Sequence, residues 1–212
     1  MGKEHMTLSF DFATSNLDWS GDFADYPVNE EEFFELGWGW DRLPNELGGH
    51  GIRLTGNNHS DDLFMFARRP ISGLSPSTCY QVSFHLTLAT NAPSGCVGVG
   101  GAPGEAVFVK VGASTVRPVP LIENGTYRMN IDKGNQAQGG RNAVVVGDLA
   151  NGETDCENWI YRLKNYEQGG QKLEATTDKD GSLWLFVGTD SGFEATSTPY
   201  IARVEVSLSP SS

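Results

Sequence analysis

The chain has 212 residues, 27 of them Asp or Glu against 15 Lys or Arg, for a formal charge of −12. That excess repels phosphate backbones and anionic membrane surfaces, which are recognised through Lys and Arg clusters, so nucleic acid is not an expected partner. No stretch approaches the roughly 20 apolar residues of a membrane helix, and no integral membrane segment is expected.

A chain this long can bury about 70 to 75% of its unfolded surface around one core. Gly and Pro are spread along it without a linker, charge block or repeat, so residues 7–209 read as one domain and residues 1–6 as a leader. Net acidity also keeps a secreted protein soluble. The expected location is extracellular, periplasmic or in the cell envelope, lipoprotein-like, with any signal or lipid anchor taken as removed.

In chain order, Leu8 to Phe12 opens as a strand, and aromatics crowd the segment after it, from Trp19 through Phe34 to Trp38 and Trp40. Asn29 to Leu36 carries a short helical pattern. Trp38 and Trp40, separated by Gly39, point to the same side of an extended segment. They form either a platform for a sugar ring, whose apolar face stacks on indole, or a plug for one end of the fold.

Strands are expected at Ile52 to Thr55 and Leu63 to Ala67. Between them Asn57, Asn58, His59, Ser60, Asp61 and Asp62 form a dense polar loop. Asn57, Asn58, His59, Asp61 and Asp62 are therefore candidate ligand-binding residues, since polyhydroxylated ligands and hard cations need several donors and carboxylates in one place. Adjacent carboxylates at Asp61 and Asp62 either face apart into water, share a proton or recruit a cation. The same residues also serve as ordinary turn formers.

Tyr80, Val82, Phe84, Leu86 and Leu88 alternate with Gln81, Ser83, His85 and Thr87, the pattern of a half-buried strand. Further strands are expected at Cys96 to Val99, Val107 to Val111, Tyr127 to Ile131, Ala143 to Val146 and Trp159 to Leu163, separated by Gly, Asn and Pro turns. Asn158 to Tyr166 has some helical pattern as well. Residues 94–104 are glycine-rich, but Gly98, Gly100 and Gly101 miss the dinucleotide-binding spacing.

Leu183 to Val187 is apolar on both faces and reads as a central, covered strand. Tyr200, Ala202, Val204, Val206 and Leu208 alternate with Ile201, Arg203, Glu205 and Ser207 in the last strand. Some ten short strands with at most two short helices make an all-β fold, economically an antiparallel two-sheet sandwich of jelly-roll type.

The stretch Ile71-Ser-Gly-Leu-Ser-Pro-Ser-Thr-Cys-Tyr-Gln-Val-Ser-Phe84 resembles the strand opening of galactose-binding-like jelly rolls, a fold shared by many carbohydrate-binding modules. The ending, Ser182 to Gly188 and then Tyr200 to Val206, is similar to the closing strand of those modules. The resemblance implies a β-sandwich that binds carbohydrate. In many such modules an Asp of the closing strand helps to hold a structural calcium, and the matching position here is Ala202.

A second acidic group comprises Asp178, Asp180, Asp190 and Glu194, candidate ligands for Ca2+. Asp178-Lys179-Asp180-Gly181 has the start of a calcium loop without the closing Glu, and a hairpin turn explains it equally. Three cysteines, Cys79, Cys96 and Cys156, permit at most one intrachain disulfide. Cys79 with Cys96, which flank one strand and its return, is one pairing, and three buried thiols are the alternative.

No nucleophile or metalloprotease motif is present, and no catalytic residue is assigned. The expected function is non-catalytic binding of a glycan, with calcium as an optional ion. A glycan hydrolase or lyase on a related sandwich is one alternative, requiring a cleft with two close carboxylates, one of raised pKa. A structural or adhesive envelope protein is another. Oligomeric state, ligand identity and metal occupancy stay open.

Overall fold

The computed structural model describes residues 5–44 and 47–211, so residues 1–4 of the expected leader lie outside it. Among the described residues sixteen strands run as β1 (Met6–Asp11), β2 (Ser20–Ala24), β3 (Tyr26–Pro27), β4 (Gly37–Arg42), β5 (His50–Asn57), β6 (Leu63–Ile71), β7 (Cys79–Thr90) and β8 (Val107–Ser114). They continue as β9 (Pro120–Glu123), β10 (Thr126–Met129), β11 (Ala143–Asp148), β12 (Arg162–Glu167), β13 (Leu173–Thr176), β14 (Leu183–Ser191), β15 (Thr196–Ser197) and β16 (Tyr200–Pro210).

Two antiparallel sheets stack as a sandwich. The larger, of eight strands, follows the path β12-β7-β16-β5-β15, with β13 also on β7, β1 on β16 and β4 on β5. The smaller, of five strands, runs β11-β8-β14-β6-β2. Its central strand is β14, paired along its whole length with β6 and nearly so with β8. Successive strands cross repeatedly between layers, so the apolar face of each sheet finds the other.

Period-two alternation explains which side chains meet in the core. Val82, Phe84, Leu86 and Leu88 of β7 face Val107, Val109 and Val111 of β8 and Leu183, Leu185 and Val187 of β14 within one buried cluster. Trp19 is its largest member, edge-on to Phe10 and Phe12.

The outer side of the smaller sheet is covered as well. Ala24, Phe64, Phe66, Ala143 and Phe186 form a second buried cluster, closed by Met129 and Ile131 from the excursion between β8 and β11. This second layer is why Leu183 to Val187 is apolar on both faces. A Cβ at Gly112 would collide with the Phe186 ring and the Asn142 carbonyl, so the strand needs glycine there to let the aromatic lie flat.

Four expectations change. Among the described residues there is no α-helix: residues 31–35 are consecutive turns, with bonds such as Phe34 N–H to Glu30 O and Leu36 N–H to Glu31 O that do not repeat one helical period. Most of the Asn158 to Tyr166 segment is β12, whose Tyr166 packs inward at 3% exposure. Cys96 to Val99 is irregular, with Val97 98% exposed.

The fourth change is one of phase. The pairing of β16 with β7 slips between Ile201 and Arg203, leaving Ala202 as a bulge. Ile201 is therefore buried with Val204, Val206 and Leu208, while Tyr200 moves to the opposite face beside Arg203 and Glu205.

Candidate functional site

The slip in β16 creates the first candidate surface. On the outer face of the larger sheet Asn165 stands opposite Thr87, which stands opposite Arg203, and the next row holds Glu167, His85 and Glu205. These side chains line a groove of about 240 Å³. Exposed ion pairs and hydrogen bonds order it: Arg203 Nη2 to Glu205 Oε1 at 2.6 Å, Thr87 Oγ1 to Asn165 Oδ1 at 2.8 Å, and His85 Nδ1 at 3.9 Å from Glu167.

One row further along, Leu163, Ala89, Tyr200 and Arg53 lie side by side. Tyr161 packs edge-on against Tyr200 with ring centroids 5.7 Å apart, and its hydroxyl donates to Thr198 O. Burial pushes the Tyr161 phenol up to about 12, so it stays a donor. Arg53 is held by Asp41 at 2.7 Å. The face thus offers an aromatic and aliphatic stripe beside a row of donors and acceptors.

The second candidate lies over the smaller sheet, where the 128–136 segment crosses its outer face. Lys110 Nζ is 2.7 Å from Asp190 Oδ2 and also donates to Lys133 O and Gln138 O. Lys133 Nζ reaches Asp190 Oδ2 at 2.8 Å and lies 2.8 Å from Asp25 Oδ2, the latter an ion pair without hydrogen-bond alignment. Arg128 bridges Asp25 Oδ1 at 2.9 Å and Asp62 Oδ2 at 3.0 Å.

Asp25, Asp62, Arg128 and Lys133 line a cleft of about 450 Å³ above this network. Burial, reinforced by the charge of Asp25, pushes the Asp62 carboxyl up to about 6. Burial also draws Lys110 below the usual lysine range, against the pull of Asp190. At Lys133 burial acts in the same direction, but Asp190 and Asp25 outweigh it and the ammonium is held above its ordinary value.

Asp25, Asp62 and Asp190 each place one oxygen within 4.8 Å of the others, a set that could hold a metal ion. Its charge is already matched, however, by Lys110, Lys133 and Arg128, and the Lys133 ammonium sits where a cation bridging Asp25 and Asp190 would sit. A divalent ion would leave two uncompensated positive charges in a buried site, so the residues present do not fit one while Lys133 stays in place. At the position matching the calcium-binding Asp of jelly-roll modules, Ala202 offers only a backbone oxygen, which accepts from Phe12 N–H at 3.2 Å.

The sequence-predicted residues are distributed among these features. Asn57 pairs with Thr196 and its N–H donates to Phe34 O at 2.7 Å. Asn58 is 1% exposed, its amide donating to Ser191 O and Phe193 O. His59 stacks on Phe33 at 4.1 Å. Asp61 adopts a φ of 56° and accepts from Gln136 Nε2 on its backbone oxygen. Asp62 turns into the charged cleft.

Trp38 and Trp40 share a face of β4, leaving 40% and 37% of their surfaces exposed. Trp38 lies against Gly21, where any Cβ would strike the indole. Trp40 stacks on His50 at 4.4 Å and donates its ring N–H to Phe12 O at 2.8 Å. Asp178 caps a turn, accepting Asp180 N–H and Ser182 N–H, and this turn adjoins the start of β14 whereas Asp190 lies near the strand's end. Asp178, Asp180, Asp190 and Glu194 therefore do not converge; Glu194 lies against Gly100, its backbone N–H donating to Val99 O.

The disulfide joins Cys96 to Cys156, and Cys79 is free, which replaces the Cys79–Cys96 pairing. Closing 60 residues is worth roughly 4 kcal/mol in the chain-entropy account. It clamps the irregular 94–101 loop to the loop carrying Trp159, two segments that no ladder holds.

Residues missed from sequence include Asn165, Arg53 and Tyr161 on the open face and Lys110, Asp25 and Arg128 in the cleft. A partial signal existed: β7 and β16 are the longest strands, and each sets polar side chains against an apolar face. Such strands pair readily, which would have placed His85 and Thr87 beside Arg203 and Glu205.

No protein-family model matches the chain, and no curated protein does. Among solved structures it is similar to a carbohydrate-binding module described as recognising mannan, at 11% identity and a TM-score of 0.40, with 99% of each chain covered. It is also similar to a cleaved adhesin domain of Lys-gingipain from Porphyromonas gingivalis, at 10% identity and a TM-score of 0.39, covering 95% of this chain and 97% of that one. A carbohydrate-binding module in complex with β-1,4-galactotriose is similar at 7% identity and a TM-score of 0.35, covering 90% and 88%.

Proposed function

We propose that the protein is a non-catalytic carbohydrate-binding β-sandwich whose glycan lies across the outer face of the larger sheet. The observation that carries this reading is the adjacency of the Tyr161–Tyr200 pair and Leu163 to the row of Asn165, Thr87 and Arg203. A pyranose ring has apolar C–H faces and a rim of hydroxyls, so it needs a stacking surface with donors and acceptors at its edge. Glu167, Glu205 and Asp41 outnumber Arg53 and Arg203 on this face, which favours a neutral glycan over a polyanionic one.

The cleft at Asp25 and Asp62 supports this binding role more than hydrolysis. A raised Asp62 suits a general acid, but its partner Asp25 is 5% exposed and engaged by Arg128 and Lys133, which keeps it from an anomeric carbon. The disulfide supports a location outside the reducing cytoplasm.

Affinity electrophoresis in gels containing neutral polysaccharides tests the reading. Retardation by at least one polysaccharide is expected, lost in Tyr200→Ala and Arg203→Ala and kept in Trp38→Ala and Trp40→Ala. Retardation lost only in the tryptophan variants would move the site to the edge of β4. No retardation by any neutral polysaccharide would overturn the reading.

A further inference from the structure

Lys110 and Asp190 are both wholly buried, on the adjacent strands β8 and β14. Lys110 stands opposite Gly188 and Asp190 opposite Phe108, so the two side chains meet diagonally on one face of the sheet, Nζ to Oδ2 at 2.7 Å. Glycan binding on the other sheet uses neither of them.

The surroundings of Asp190 are asymmetric. Oδ2 accepts from Lys110 Nζ, from Lys133 Nζ at 2.8 Å and from the Gln136 backbone N–H at 2.9 Å. Oδ1 is equally buried and has no hydrogen-bond partner among the described residues. A carboxyl carbon under attack by an amine is served by this distribution: donors gathered on the oxygen that carries negative charge in the tetrahedral intermediate, and the other oxygen free to take up the protons with which it leaves. A further unpartnered buried oxygen, Asp62 Oδ1, belongs to the neighbouring carboxylate. Phe64, Phe66 and Phe186 exclude water from the same face.

We propose that Lys110 and Asp190 become joined by an intramolecular isopeptide bond between Nζ and Cγ. The ammonium of the ion pair releases a proton to the carboxylate and the free amine attacks Cγ. The Nζ–Cγ bond forms and the Cγ–Oδ1 bond breaks. Two of the three ammonium protons end on Oδ1, which leaves as water, and the third stays on the amide nitrogen. The step needs no oxidant or co-reactant. One oxygen of Asp62 lies within 4.8 Å of one oxygen of Asp190, so the Asp62 carboxyl is close enough to relay protons to the departing oxygen. Oδ2 remains as the amide carbonyl and keeps its bonds from Lys133 and Gln136. The remaining N–H of Lys110 keeps one of its two backbone acceptors, Lys133 O or Gln138 O. The condensation replaces a wholly buried ion pair, costly to keep out of water, by a neutral amide, and the product ties β8 to β14 at the centre of the smaller sheet.

Intact mass spectrometry of the denatured, reduced wild-type protein tests this directly. The expected mass is that of the sequence less one water, with a branched tryptic peptide containing both Lys110 and Asp190 and no cleavage after Lys110. Lys110→Arg restores the full mass. A wild-type protein of full sequence mass overturns the proposal and leaves an ion pair only. A water loss that maps to Asp180–Gly181, where an Asp-Gly step can close to a succinimide, overturns it equally.

Discussion

Arg203, Glu205, His85 and Asn165 stand in the open on the outer face of the larger sheet, whereas Lys110, Lys133, Asp25 and Asp190 lie under a cover of chain on the outer face of the smaller one. Both faces are polar, yet their charges do different work. An exposed ion pair contributes about 0 to 1 kcal/mol, because water solvates each partner nearly as well alone. A buried network binds its members to one another, and removing one strands the rest. The open face can therefore exchange its partners for a ligand at little cost to the fold, and the covered face cannot.

The largest test of that contrast is Lys133→Met, which keeps most of the side-chain volume and removes the ammonium between Asp25 and Asp190. Asp25 then loses its buried cation, and Asp190 Oδ2, carboxylate or amide carbonyl, loses a donor, at a cost of about 3 to 5 kcal/mol. Thermal unfolding is expected some 10 °C lower by calorimetry. Added calcium should recover part of that loss in the variant and do nothing for the wild type. Equal stabilisation of both by calcium would show that Lys133 does not occupy the cation position.

A smaller effect separates the cleft's rim from its floor. Asp62 is about a quarter exposed, and its carboxyl is raised to about 6 by burial and by Asp25. A carboxyl whose folded pKa exceeds its unfolded one takes up its proton first in the folded state. Stability is therefore highest below about pH 4, falls as pH rises from there to about 6, and is level above. Asp62→Asn removes that decline, so the stability of the wild type relative to the variant should fall by about 1 kcal/mol across this window once solvent screening is allowed for. Chemical denaturation at pH 4, 5, 6 and 8 measures it, and a pH-independent difference would break the assignment.

Much of the sandwich was legible because one-sided burial leaves a signature. Tyr80 to Leu88 alternates since its sheet has water on one side, and Leu183 to Val187 does not since its sheet has none. The cover itself was not legible. Val107-Phe-Val-Lys-Val111 reads as a strand, but nothing in it marks Lys110 as covered, and only a segment some twenty residues later makes that lysine a buried partner of Asp190. The bulge at Ala202 was hidden for a related reason. An apolar residue on either side of the slip satisfies alternation equally well, so the phase of Tyr200 is set by pairing with β7 rather than by its neighbours in sequence. The 57–62 loop was visible as a polar run, but nothing local distinguishes Asn58, which ties the loop to Ser191 and Phe193, from Asp62, which lines the cleft.

The smallest expected effect is on the open face, and it is the most diagnostic of what that face is for. Arg203 is half exposed and its 2.6 Å contact with Glu205 joins two side chains on one face of β16. A double-mutant cycle with Arg203→Ala and Glu205→Ala should give a coupling below about 0.5 kcal/mol in stability. Neither variant should shift unfolding by more than about 0.5 kcal/mol. If these charges instead braced the larger sheet, the coupling would approach the values of the covered network, and the face would be structural. Weak coupling in stability together with loss of polysaccharide retardation would mean that the pair is ordered for a ligand, since a donor row that contributes nothing to the fold is free to trade its internal bonds for hydroxyls.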